Sequence, residues 1–128
     1  MKKLLTSAFI AFTLISVNAS AQSNPASSDI NSQASDIARR MMNEVQLNER
    51  EYIEVRKYTA EKLETAAQIQ QMYSNDPEML TKKLNEAEDR YNFKLQSFMN
   101  QKQFANYQAV ADRYKVNASA VAGAMEDE

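Results

Sequence analysis

Any acid–base or nucleophilic chemistry in this chain falls to carboxylates, lysines and tyrosines, because the sequence holds no His and no Cys. The missing His removes the commonest general base and the commonest metal ligand. The missing Cys removes disulfides, a lipid-modified N-terminal Cys, thiolate nucleophiles and Cys-ligated zinc or iron–sulfur sites. Of the acidic clusters, Glu86, Glu88 and Asp89 come nearest to a cation site, but they lack the alternating ligands and the turn glycine of a calcium loop. The single Gly in 128 residues argues against Gly-rich phosphate loops and against an all-β fold with many tight turns. No acid/base constellation stands out, so the expectation is a protein that is not an enzyme and needs no cofactor or metal.

The composition is that of strong helix formers, and the elements follow from punctuation and periodicity. Residues 1–21 read as a secretory signal peptide: Lys2 and Lys3, an apolar run from Leu4 to Val17, then the small-x-small pattern Ala19-Ser20-Ala21. The run is short of the roughly 20 residues that a spanning helix needs, so cleavage, with no stable membrane insertion afterwards, is expected. Removal would take two of the 15 basic and none of the 17 acidic residues, leaving 13 against 17. Such a mildly acidic chain gives no reason to expect nucleic acid as a partner. Residues 22–34 are Ser- and Asn-rich and read as a disordered spacer. A helical domain over 35–115 follows, and 116–128, ending Glu-Asp-Glu, reads as a flexible acidic tail.

Within that domain, helix one is expected from a Ser35 or Asp36 cap through Ile37, Met41 and Val45 to Gln46. Helix two, from Glu49 to about Ser74, aligns Tyr52, Val55, Thr59, Leu63, Ala66, Gln70 and Tyr73 on one face. Asn75-Asp76-Pro77 supplies a stop, an Asp cap and a Pro at the first helical position. Helix three, to about Phe98, aligns Leu80, Leu84, Ala87, Tyr91, Leu95 and Phe98. Helix four, from Gln101 to about Lys115, aligns Phe104, Tyr107, Val110, Ala111 and Tyr114. The fold class is therefore all-α: a long antiparallel hairpin, its two helices roughly 39 and 33 Å long, flanked by two shorter helices.

The sequence contains an internal echo. Leu47-Asn48-Glu49-Arg50-Glu51-Tyr52 and Met99-Asn100-Gln101-Lys102-Gln103-Phe104 share an apolar residue, Asn, two variable positions, Glu or Gln, and an aromatic. Asn accepts from an orphan N–H of the new helix, and the acid or amide three residues on reaches back to the cap's own N–H. The apolar residue before the cap and the aromatic four after it can close a hydrophobic staple. Both segments thus read as capped corners. The doubled pattern resembles the Leu-Thr-x-x-Gln motif, present twice in the Spy/CpxP-like family of exported α-helical stress proteins of Gram-negative bacteria. Leu47, Asn48 and Glu51 match the first copy, and Met99, Asn100 and Gln103 the second. Asn replaces Thr in both, Glu replaces Gln in the first and Met replaces Leu in the second, changes that keep the cap chemistry. The resemblance implies a periplasmic or secreted, thin, cradle-shaped homodimer that binds unfolded or misfolded proteins without ATP. Some relatives bind a sensor domain instead, and the metal-binding relatives use imidazole ligands that this chain lacks.

Several apolar residues fall off the main stripes: Met42, Ile53, Tyr58, Met72, Met79 and Phe93. They are either ordinary core under helices one and four or an exposed patch that accepts many sequences through flexible Met and amphipathic Tyr. Basic pairs such as Arg56-Lys57 flank them and would steer acidic or unfolded clients, although most charges read as solvated faces with i, i+4 pairs such as Glu86 to Arg90. Two functions remain: a periplasmic chaperone for unfolded clients, or a regulatory module for one dedicated partner, such as a sensor or another envelope protein.

Overall fold

The computed structural model of the protein describes residues 25–116. The expected leader, the first three residues of the spacer and residues 117–128 of the expected tail lie outside the described residues. The chain forms α1 (Pro25–Val45), α2 (Glu49–Met72), α3 (Pro77–Phe98) and α4 (Gln101–Val110), closed by a 3-10 turn over Ala111–Tyr114. Among the described residues there is no strand, and the all-α class stands.

The first helix is already formed at Pro25, ahead of its expected start, which overturns the reading of 25–34 as a disordered spacer and of Ser35 or Asp36 as a cap. Ser35 lies inside the helix, its hydroxyl donating to the Asn31 carbonyl at 2.9 Å. One buried stripe holds the segment in the fold: Ala34, Ala38, Met41 and Val45 are all fully buried. The composition is dominated by exposed Ser and Asn, so a stripe of one small residue per turn is invisible to it.

At the first corner Gln46 adopts a left-handed φ of 61° and the Leu47 N–H returns to the Met42 carbonyl at 3.0 Å, a Schellman-type stop built without glycine. Both expected capping boxes form. Asn48 and Glu51 exchange hydrogen bonds of 2.9 Å, while Asn100 and Gln103 do the same at 3.0 and 2.8 Å. At the intervening turn, Asp76 accepts from the Met79 N–H at 3.1 Å ahead of Pro77.

The helices α2 and α3 run antiparallel. Thr59 meets Tyr91 at 2.8 Å, and Lys62, one turn further along α2, meets Glu88, one turn back along α3. One core cluster lies toward the corners, where Ala38, Met41, Val45, Leu47, Val55, Tyr91, Leu95, Met99 and Tyr107 meet from all four helices. The staple residues Leu47 with Tyr52 and Met99 with Phe104 belong to it. A second cluster, toward the turn, joins Ala66, Ile69, Leu80, Leu84 and Ala87. Val116, expected within a free tail, packs against this second cluster, and its N–H donates to Glu88 at 2.8 Å. The last helical segment tightens into a 3-10 turn after Val110 and does not continue as α-helix to Lys115.

Candidate functional site

The two corners touch. Because α2 and α3 reverse direction, the chain brings residues 46–51 and 99–103 to the same end of the bundle. There the Gln103 amide donates to Glu51 at 2.8 Å and to the Gln46 carbonyl at 3.2 Å. Glu51 therefore serves its own cap and the neighbouring corner at once. Spacing foretold each box, but their mutual contact depends on register between helices, which one-dimensional spacing does not contain.

Between α2, α3 and the 114–116 segment lies a charge centre that the sequence reading missed. Lys62 and Glu88 are each 5% exposed, with Nζ and Oε1 3.2 Å apart. The ammonium also donates to the Tyr114 carbonyl at 2.9 Å and lies 4.0 Å from the centre of the Tyr91 ring, so its three donor directions are all taken. Burial lowers the Lys62 pKa, and the charge and hydrogen bond of Glu88 oppose that shift. Burial raises the Tyr91 phenol far above its usual range, against the pull of its bond to Thr59. This centre ties α2, α3 and the 114–116 segment together. A signal for it exists. Val55, Thr59, Lys62, Ala66 and Ile69 step by four and three, so Lys62 occupies a position that the buried stripe demands. Glu88 does likewise between Leu84, Tyr91 and Leu95.

A surface feature that could receive a partner is a groove along the seam of α2 and α3. A hollow of about 310 Å³ is bordered by Asn48, Glu54, Tyr58 and Phe98. It adjoins one of about 60 Å³ that shares Tyr58 and adds Glu61, Thr65, Arg90 and Lys94. A third of about 240 Å³ shares Thr65, Ala87 and Arg90 and continues past Ile69 to Met72 and Tyr73. Neither α1 nor α4 contributes to its walls, so the flanking helices cover one side of the hairpin and leave this one open. Stacking of Tyr58 on Phe98, centroids 6.1 Å apart, makes the apolar wall at the corner end.

The predicted binding residues separate accordingly. Ile53, Met72 and Phe93 are exposed by 49, 67 and 74%. Tyr58 and Met72 line the groove, while Ile53 and Phe93 are not among its lining residues. Met42 and Tyr58 are half-buried against the corner cluster, and Met79 is half-buried beside the turn. Arg56 and Lys57 are exposed and rest on aromatic rings, Arg56 on Tyr52 at 5.8 Å and Lys57 on Tyr58 at 5.3 Å. The expected Glu86–Arg90 pair is replaced by Glu86 with Lys83 at 3.1 Å, which leaves Arg90 without an ion pair among the described residues.

Fold and surface define an all-helical protein with an open interhelical groove. Among the described residues no group of three or more His, Cys, Asp or Glu is placed to hold a metal ion, and no helix is long and apolar enough to cross a membrane. No family model, curated protein or solved structure matches this chain.

Proposed function

We propose that the protein is an exported, ATP-independent chaperone of the Spy/CpxP-like kind, a periplasmic homodimer that holds unfolded or misfolded envelope proteins in the α2–α3 groove. The observation that carries this reading is the uncovered seam, in which Tyr58, Phe98, Ile69, Met72 and Tyr73 alternate with Glu61, Arg90 and Lys94. Flexible Met and amphipathic Tyr accept side chains of many shapes, and mixed charges keep such a surface soluble while attracting polar segments. The leader-like N-terminus and the doubled corner motif support the same reading from the sequence side.

The test is suppression of aggregation of several unrelated unfolding proteins at near-stoichiometric ratio. Met72→Ser, in the groove, is expected to weaken protection more than Phe93→Ser, which is not among the lining residues, and neither should change the helical circular dichroism. Failure to protect any client overturns this reading in favour of a module that binds one dedicated sensor or envelope partner.

A further inference from the structure

We infer that the groove takes an unfolded segment in the polyproline II conformation, reading an acidic side chain at its centre and an apolar side chain three residues to either side. This rests on the polypeptide-binding reading above and names its ligand. Along α2, Thr65 lies seven residues from both Tyr58 and Met72, which at about 1.5 Å per residue places each apolar end about 10 Å from the centre. Arg90 occupies that centre, lining the two hollows that meet at Thr65 and Ala87. Its basic neighbours are already neutralised, Lys94 by Glu61 at 2.6 Å and Lys83 by Glu86 at 3.1 Å. Arg90 is therefore the cation left to be complemented at the middle of the groove, and a guanidinium matches a carboxylate with two parallel hydrogen bonds.

A repeat of three residues at this spacing matches polyproline II, whereas an α-helix would need about seven residues for the same advance. Polyproline II has three residues per turn and a rise of about 3.1 Å, so residues i, i+3 and i+6 share one edge at intervals of about 9 Å. A β-strand would turn i+3 to the opposite face. An α-helix would advance only about 4.5 Å over three residues. The walls argue the same way, since both are helices whose backbone donors and acceptors are spent internally and offer no ladder to an added strand. Polyproline II needs none, because its backbone stays solvated, and unfolded chains already populate it.

Fluorescence anisotropy with the purified protein and four labelled peptides tests this. The first carries apolar residues at positions 1 and 7 and Asp at 4; the second has Asn at 4. The third moves the same side chains to positions 1, 3 and 5, and the fourth places them seven residues apart on an Ala-rich helix. The first is expected to bind tighter than each of the others, by about two- to fivefold over the Asn peptide, the scale of one exposed ion pair. Salt should erode its advantage over the Asn peptide, and Arg90→Gln, at an exposed position, should abolish it while helical dichroism is unchanged. Equal binding of all four peptides, tightest binding of the helical one, or self-association that Met72→Ser abolishes would each overturn the inference. Binding of no peptide while unfolded proteins are still protected overturns it and leaves the chaperone reading standing; loss of both overturns both.

Discussion

At the scale of single residues, the pair Lys62 and Glu88 sets the sharpest expectations. Removing one member of a buried ion pair leaves the other charge without compensation, at a cost of about 3–5 kcal/mol. Lys62→Met therefore destabilises strongly, since Glu88 loses its counter-charge and the Tyr114 carbonyl loses its donor. The double variant Lys62→Met with Glu88→Leu recovers most of that loss, because an apolar pair of similar volume carries no desolvation penalty. Denaturant midpoints of the wild type, the single and the double variant measure both steps. A double variant no more stable than the single one would show that the pair's bonds to Tyr114 and Val116, and not the uncompensated charge, dominate.

At the scale of elements, the corners are where local sequence acts most directly. A non-glycine residue in the left-handed region is strained by roughly 1–2 kcal/mol, and glycine gives back about half through its freer unfolded state. Gln46→Gly is thus expected to stabilise by about 0.5–1 kcal/mol, read as a raised denaturant midpoint, since the bond from Gln103 goes to the retained backbone carbonyl. Glu51→Ala and Gln103→Ala each remove half of a capping box and one end of the corner-to-corner bond, so their losses are non-additive. A double-mutant cycle should return a coupling of at least about 0.5 kcal/mol. The helices, their breaks and both boxes were legible in the sequence because caps and stripes are local, with one residue type at one spacing deciding each. The helical turns from Pro25 to Ala34 were not, because Ala34 is their one fully buried side chain among the described ones and its neighbours are polar. Arg90 escaped for a different reason. Lys83 stands three residues before Glu86 and Arg90 four after it on the same helix, and spacing alone does not say that Glu86 prefers Lys83.

At the scale of the whole molecule, the buried phenols set how the fold responds to alkali. Tyr91 and Tyr107 are held far above their usual range, chiefly by burial, and Tyr114 is pushed up to about 12 by burial and its bond to Glu44. A group whose folded pKa is raised contributes stability that is complete below its unfolded value near 10 and is lost as pH climbs toward the folded value. Between those limits the unfolded chain has released protons that the fold retains, and each such proton removes about 1.4 kcal/mol per pH unit. Lys62 has the opposite sign: its lowered pKa makes the fold release a proton first, so stability gains from its depressed value up to about 10.4, where the unfolded Lys also becomes neutral. Above that point the lysine no longer offsets anything and three tyrosines act together. Denaturant midpoints should therefore fall steeply from about pH 10.4 to 12 and much less below pH 9. Tyr107→Phe keeps the ring against Tyr91 and Phe104, gives up the hydroxyl's bond to Asn92, and should flatten the alkaline limb by about 1.4 kcal/mol per pH unit. An alkaline limb of unchanged slope in that variant would mean that Tyr107 ionises in the fold as readily as in water, and that the corner cluster opens before the helices separate.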